Sequence, residues 1–190
     1  STGPGLFTGW SSAKCMWSGT TSGTAAAGFA QDCSLIMPED ELVNHLKSGL
    51  FNRPVDAEFG DMTVAEVTRK MQEIIFAFDT SIFKHRERLT KAETALTALR
   101  EDQLGRTKVA DFHDFIRFKE TENMFLTAEL FLKASKLRRE SRADHRREEY
   151  PDHDDAHWLK WIIFNCHLEE GYRLAEFPWA KYKYGPDELS

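Results

Sequence analysis

The longest apolar helical pattern in this chain runs from about residue 110 to residue 139. Phenylalanine, leucine, isoleucine and methionine recur there at spacings of three and four residues, and they cover more than one face of a helix. Such a helix has to be surrounded by other elements, because one neighbour cannot bury several faces. The pattern therefore predicts a long helix at the centre of a bundle. Ordinary core packing explains its aromatic and methionine residues better than a cofactor site does.

Further helices are predicted before this central helix. Residues 38–50 begin with a proline and three acidic residues, which suit the first turn of a helix, and then carry an apolar stripe. Thr63 and Glu66 have the spacing of a capping box, in which each side chain bonds to the backbone of the other residue. An amphipathic pattern follows over residues 64–78, and another apolar run spans residues 89–104. The sequence thus predicts a helical bundle.

The pattern changes after the central helix. Residues 158–166 are rich in strand-forming residues, and a polar turn at residues 169–171 separates them from a second such run at residues 172–177. We therefore expect a mainly α fold, a helical bundle capped by a C-terminal β-hairpin. No apolar run approaches the roughly 20 residues of a membrane helix, so direct membrane insertion is not expected.

Charge and cysteine content narrow the classes of function. The formal net charge is −6, which argues against a general binder of nucleic acid. Cys15, Cys33 and Cys166 are odd in number and far apart, which argues against a disulfide framework and against a cysteine-rich metal site. We expect a protein of the reducing cytoplasm.

A dense charged stretch follows the central helix. Residues 133–157 hold seven lysines or arginines and seven acidic residues, so the stretch lacks the unopposed positive charge that phosphate binding needs. His145, His153 and His157 lie among aspartates and are possible metal ligands, but no complete metal motif is present. The alternative is a network of arginines and carboxylates that folds the chain back after the helix.

Residues 139–151 resemble a signature of one flavoprotein family. That family includes the flavoprotein subunits of succinate dehydrogenase and fumarate reductase, L-aspartate oxidase, and the alpha subunit of dissimilatory adenylylsulfate reductase. The seven matching residues are Glu140, Ser141, Arg142, His145, Arg147, Tyr150 and Pro151. Ala143 stands in place of a glycine, and Glu149 in place of an aspartate. The following sequence DDAHWLKWIIF also resembles the family.

The glycine-rich start of the chain resembles the end of the FAD-binding domain in the same family. The sequence GLFTGWSSAKCMWSGTTSGTAAAG has the family's strand, turn, substrate loop and helix start, with spacing closest to the adenylylsulfate reductase branch. The resemblance implies that residues 1–35 are a fragment of an α/β FAD-binding domain and that residues 36–190 are the helical C-terminal domain. It places four residues beside the flavin, where backbone N–H groups suit the negative edge of the cofactor: Ser22, Gly23, Thr24 and Gly28.

The resemblance implies an FAD-dependent oxidoreductase that works with the rest of the flavoprotein and with an iron–sulfur subunit. The flavin carries the redox step, so we expect this chain alone to be inactive. Arg142, His145 and Arg147 are expected to form an ordered network at a domain contact rather than to act in catalysis.

Three family residues are missing from the start of the chain, and other hypotheses stay open. An acidic residue of the family would fall at Ser11, and the histidine of the adenylylsulfate reductase branch would fall at Ser18; the arginine of the fumarate reductase branch has no counterpart. Either the substrate differs, or the loop has lost its catalytic side chains. The rival hypotheses are a stand-alone helical interaction module without redox activity and a metal-binding protein.

Overall fold

The computed structural model describes residues 10–34, 37–51 and 62–176, with side chains from residue 12 onward. By its internal contacts the chain divides into two compact units, residues 1–54 and 55–190. The boundary expected after residue 35 is a different one, because it separates a fragment of an FAD-binding domain from the helical domain. That assignment stays a prediction. The expected strand and turn before residue 10 lie outside the described residues.

Among the described residues of the first unit there are two helices, α1 (Trp10–Asp32) and α2 (Asp40–Leu50). The second helix begins at Asp40 with Glu39 as its N-cap, close to the expected start. Its apolar stripe is present, but Leu42, Leu46 and Leu50 are all about half exposed. In residues 12–34 every described side chain is exposed. Apart from the partly buried Val43, the apolar side chains described in this unit are therefore exposed.

The second unit is built on α3 (Val64–Ile75), α5 (Arg86–Gln103) and α6 (Phe112–Leu137), with a 3-10 turn, Leu104–Arg106, extending α5. The predicted capping box is confirmed: Thr63 accepts from the Glu66 N–H, and the Glu66 carboxylate accepts from the Thr63 N–H at 2.8 Å. The three helices share one core, whose most buried members include Val67, Met71, Leu89, Leu96, Phe118, Phe125 and Leu132. The predicted helical bundle is confirmed.

The long helix α6 is buried along one face only. Phe118 and Phe125 are buried, whereas Phe112, Ile116 and Leu126 are 60%, 46% and 53% exposed. The expectation that α6 is surrounded on more than one face is wrong for this unit, because α3 and α5 cover a single side of the helix. Its other apolar face is left open to solvent or to a partner.

The predicted C-terminal hairpin is confirmed. Strand β3 (Lys160–Phe164) pairs antiparallel with β4 (Tyr172–Glu176), and the Asn165 N–H donates to the Gly171 carbonyl to close the connection. Gly171 has a φ of 72°, which glycine adopts without strain. Trp158, expected in the strand, instead ends the short helix α7 (Asp155–Trp158). Within the described ranges, no helix is both long and apolar enough to span a membrane.

A small parallel pairing was not predicted. After the short helix α4 (Phe78–Ser81), strand β1 (Phe83–Lys84) pairs with β2 (Arg146–Arg147). Two-residue strands carry no periodic pattern, so the sequence gives no indication of them. The pairing brings the charged stretch after α6 beside the start of α5.

Candidate functional site

The charged stretch folds into a loop that we call the arginine segment, residues 138–155. At its centre the Arg147 side chain is only 1% exposed. Its Nη1 atom donates to the backbone carbonyls of Ser135 at 2.7 Å, Arg138 at 3.1 Å and Lys136 at 3.3 Å. These carbonyls belong to the last turn of α6, where no further turn supplies N–H donors. Arg147 therefore caps α6, and its positive charge lies at the negative end of the helix dipole.

The other edge of the Arg147 guanidinium binds Glu149. Nε and Nη2 of Arg147 both donate to Oε2 of Glu149, at 3.0 and 2.8 Å. The second oxygen, Oε1, accepts from the backbone N–H of Arg86 at 3.0 Å, in the first turn of α5. Burial raises the pKa of Glu149, but the hydrogen bonds from Arg147 and from the Arg86 N–H outweigh it, and the net pKa is lowered. This pair joins the end of α6 to the start of α5.

A second cluster surrounds Glu140, which is completely buried. Its carboxylate accepts two hydrogen bonds of 2.9 Å from Arg142, one of 3.0 Å from the Asp154 N–H and one of 2.5 Å from Arg138. Burial raises the pKa of Glu140, but the donors from Arg142, Asp154 and Arg138 prevail and lower it to about 2. Glu140 is therefore a carboxylate at neutral pH, with four hydrogen bonds to its two oxygens.

The Glu140 cluster reaches the hairpin through its two arginines. Arg138 donates to the backbone carbonyls of Trp158 and Lys160, at 2.7 Å each, and its guanidinium lies 5.7 Å from the centroid of the Trp158 ring. Arg142 also pairs with Asp155 at the start of α7, and hydrogen bonding to Glu140 raises the pKa of Arg142. Both α7 and β3 are thus fixed to the end of α6.

His145 is a neutral hydrogen-bond donor in this arrangement. Its Nε2 atom lies 3.2 Å from the Arg138 carbonyl, which can only accept, so Nε2 carries the proton. Burial lowers the pKa of His145 to about 4, and the positive charges of Lys84, Arg138 and Arg147 act in the same direction. The imidazole therefore caps α6 together with Arg147.

Two backbone features set the shape of the arginine segment. The Ser141 hydroxyl accepts from the Arg147 N–H at 2.8 Å and donates to the Tyr150 carbonyl at 2.8 Å. Ala143 has a φ of 50°, in the left-handed region, within a turn closed by hydrogen bonds between the backbones of Arg142 and His145. The glycine of the family signature stands at this same position.

The structure brings the predicted residues Arg142, His145 and Arg147 into one network with the unpredicted centre Glu140. Their contacts join elements of the second unit, so the predicted contact with another domain stays a prediction. His153 and His157 do not join them: His153 is exposed, and His157 pairs with Asp154 at 2.9 Å. In the part of the chain that the structure describes, no three His, Cys, Asp or Glu side chains are grouped to hold a metal ion.

The residues predicted beside the flavin lie in the interior of α1, not at its start. The helix begins at Trp10, so the backbone N–H groups of Ser22, Gly23 and Thr24 are inside a regular helix and bond to carbonyls four residues earlier. These N–H groups are therefore already bonded within the helix, and the placement of the four residues beside the flavin stays a prediction. The hydroxyl of Ser22 also donates to the carbonyl four residues before it, at 2.5 Å, as does that of Thr24, at 2.9 Å. A Cβ atom at Gly23 or Gly28 would meet nothing within 4 Å.

Lys84 is a buried charged residue that the sequence did not reveal. It is 3% exposed, donates to the Ser81 carbonyl at 2.6 Å and lies 5.7 Å from the centroid of the Phe131 ring. Burial lowers its pKa. A single lysine beside an apolar run carries no pattern that would mark it as buried, whereas Glu140 is a member of the signature and could have been assigned to the network on that ground.

Comparison with known proteins gives one consistent family. The family described as fumarate reductase flavoprotein C-term matches residues 68–183. The chain is 30% identical over 114 residues to a fumarate reductase (CoM/CoB) subunit of Methanothermobacter marburgensis, covering 58% of this chain and 20% of that protein. It is 28% identical over 108 residues to the succinate dehydrogenase flavoprotein subunit of Rickettsia conorii, covering 55% of this chain and 18% of that one.

Solved structures agree on the fold. The Sdh1 complex of Mycobacterium smegmatis matches with a TM-score of 0.71 and 17% identity, covering 88% of this chain and 32% of its counterpart. Adenylylsulfate reductase of Archaeoglobus fulgidus matches with a TM-score of 0.59 and 19% identity, covering 77% of this chain and 26% of the reductase chain. The chain thus spans about a fifth of the curated relatives that it matches. It belongs to the family of fumarate reductase flavoprotein C-terminal domains, which are parts of the flavoprotein subunits of oxidoreductases.

Proposed function

We propose that this chain is the C-terminal portion of an FAD-dependent oxidoreductase of the fumarate reductase, succinate dehydrogenase or adenylylsulfate reductase type. The observation that carries the proposal is the network centred on Glu140 and Arg147, which joins most of the residues of the family signature. The stand-alone interaction module explains neither this network nor the family match.

The cofactor of the whole protein would be FAD, shared between α1 and a part of the flavoprotein outside this chain. The described side chains of α1 are exposed, and Gly23 has open space where a side chain would be, so a flat ring can approach this face of the helix closely. The flavin ring would fit α1 by shape and not by hydrogen bonds to the backbone, since the N–H groups of residues 22–24 are already bonded within the helix. When bound, FAD would supply hydride transfer, and α1 would position its ring.

The arginine segment would serve the enzyme by fixing the form of the helical domain. Arg142, His145 and Arg147 hold the end of α6, the start of α5 and the hairpin in one arrangement. Such a domain can offer a rigid surface to the flavin-binding part, because each polar group of the network already has its partners. We propose these three residues as positioning residues for that domain contact.

The reaction partners are proposed at the level of class. Two of the curated relatives are named as subunits of fumarate reductase and succinate dehydrogenase, and an iron–sulfur subunit would supply or accept electrons in such an enzyme. Serine stands at position 18, where the adenylylsulfate reductase branch has histidine, and the substrate is therefore not assigned. The exposed free thiols Cys15, Cys33 and Cys166 favour a reducing compartment, the cytoplasm.

The test is the visible absorption spectrum of the whole native protein and of two variants. We expect flavin bands in the wild type. Gly23→Leu places a bulky side chain on the proposed flavin face of α1 and should lower the flavin content severalfold. Ala25→Leu is the control, because residue 25 lies on the opposite side of the helix. A colourless whole protein, or equal flavin loss in both variants, would contradict the proposal.

A further inference from the structure

Four large apolar side chains are exposed in the connection between α3 and α5. Phe76 is 71% exposed, Phe78 66%, Ile82 46% and Phe83 43%. We call this group the aromatic corner. The rings of Phe78 and Phe83 pack against each other with centroids 5.3 Å apart. Single exposed apolar residues are common on any protein, but a contiguous group of this size is typical of a contact surface.

The aromatic corner continues into an apolar cleft between α3 and α6. The cleft has a volume of about 410 Å³, and Phe76 and Ser81 belong to its wall. Most of its other lining residues are apolar, among them Met71, Ile75, Met124 and Phe131. A cleft of this composition suits buried side chains from a partner rather than a charged ligand.

Two charged groups beside the aromatic corner, Arg88 and Lys84, are engaged within the domain, and the side chain of Asp79 is exposed. Arg88 donates to the carbonyls of Asp79 and Phe83 and pairs with Glu148 at 2.7 Å. The buried Lys84 ammonium faces inward, to the Ser81 carbonyl. The surface therefore offers a partner mainly shape and apolar area, which is the character of a permanent contact.

We propose that the aromatic corner and the cleft pack against the flavin-binding part of the same polypeptide. The inference rests on the proposed function. The length of chain outside this structure supports it, since the chain spans only 20% of its methanogen relative and 32% of its mycobacterial structural counterpart. Contacts between domains of one chain bury roughly 600–1,500 Å², and four large side chains beside a cleft form a suitable centre for such a contact.

Hydroxyl-radical labelling of the whole native protein, purified as a monomer without other subunits, tests the proposal. Phe112 is the internal control, because its 60% exposure in this domain is close to that of Phe78. The labelling rate follows exposed area, so Phe76 and Phe78 should react roughly fivefold more slowly than Phe112 if they lie in the core of an interface. Equal rates would overturn the proposal.

A matched pair of variants extends the test. Ile82 and Ile116 are both 46% exposed, but only Ile82 lies in the aromatic corner. Ile82→Glu should raise the labelling of Phe78 towards that of Phe112, and Ile116→Glu should leave it unchanged. Protection seen only after an iron–sulfur subunit or a second copy is added would assign the surface to that partner and overturn the proposal. The readout needs no flavin, so a colourless protein with a protected corner would contradict the proposed function alone.

Discussion

The guanidinium of Arg142 donates two hydrogen bonds, each of 2.9 Å, to the fully buried carboxylate of Glu140. The pair is bidentate, a geometry that fixes orientation as well as charge. Because the carboxylate is out of water, removing Arg142 leaves Glu140 with Arg138 as its one charged partner, and removing Glu140 leaves Arg142 with the exposed Asp155. The pair therefore determines the shape of the arginine segment more than its exposed charges do.

Replacing Glu140 by glutamine should destabilise the domain by about 3–5 kcal/mol, because two arginines keep their charges and lose the buried counter-charge that they share. The free energy of urea unfolding, followed by circular dichroism, measures the loss. The control is Asp155→Asn, which removes the exposed partner of the same Arg142 and should cost less than about 1 kcal/mol. Equal losses in the two variants would show that Glu140 is not the centre of the network.

The stability of the domain should fall as the pH is lowered from neutral. His145 has a folded pKa of about 4 against an ordinary value of 6.5, so between these values the unfolded chain binds a proton that the folded chain does not. The resulting loss across that range is about 3 kcal/mol. His145→Asn should remove most of this slope in unfolding measurements, whereas His153→Asn, at an exposed position, should keep it. An unchanged slope in the first variant would contradict a buried neutral imidazole.

A second loss should follow at lower pH. The folded pKa of Glu140 is about 2 and its ordinary value is 4.5, so its contribution is complete above 4.5 and disappears as the pH falls towards 2. The size is again about 3 kcal/mol. Acid unfolding followed by tryptophan fluorescence should show this lower transition in the wild type, and Glu140→Gln should lack it. A lower transition that persists in the variant would assign it to other carboxylates.

Arg147 should not tolerate lysine. An ammonium group cannot reach three carbonyls on one side and Glu149 on the other, as the guanidinium does. We expect Arg147→Lys to destabilise the domain by about 3 kcal/mol. Arg146→Lys, at the neighbouring exposed position, should change the unfolding free energy by less than about 0.5 kcal/mol. Similar effects of both substitutions would mean that α6 does not depend on this cap.

Ala143→Gly should stabilise the domain. Ala143 has a φ of 50°, where a Cβ atom costs energy that glycine avoids, and the net gain after the greater freedom of unfolded glycine is about 0.5–1 kcal/mol. Thermal unfolding should then occur about 2 °C higher. The control is Ala156→Gly, within helix α7, which should instead lower the midpoint temperature of unfolding. A lower midpoint temperature in Ala143→Gly as well would contradict a strained backbone at Ala143.

Local rules predicted the parts of this fold that depend on local structure. The capping box at Thr63 and Glu66, the extent of α6 and the hairpin all follow from short spacings that the sequence displays. The burial of α6 was overestimated, because composition shows that a face is apolar but not that an element covers it. Phe112 and Ile116 lie on such an apolar face of α6 and are exposed.

The network was predicted in its members but not in its roles. The resemblance selected Arg142, His145 and Arg147, yet it did not show that Arg147 caps α6 or that Glu140 is buried beneath two arginines. Those facts depend on the parallel pairing of Lys84 with Arg147, a contact between residues far apart in the chain. No local spacing encodes such a contact.

The way α6 ends also sets an order of events in folding. The helix has no terminating glycine of its own, and its last carbonyls are capped by Arg147, which is itself held by Glu149 and the start of α5, 63 residues earlier. During synthesis the final turn of α6 therefore lacks this cap until residues 147–149 have left the ribosome. Contacts of such long sequence separation form slowly, so the closing of this loop is the step we expect to limit the folding of the domain.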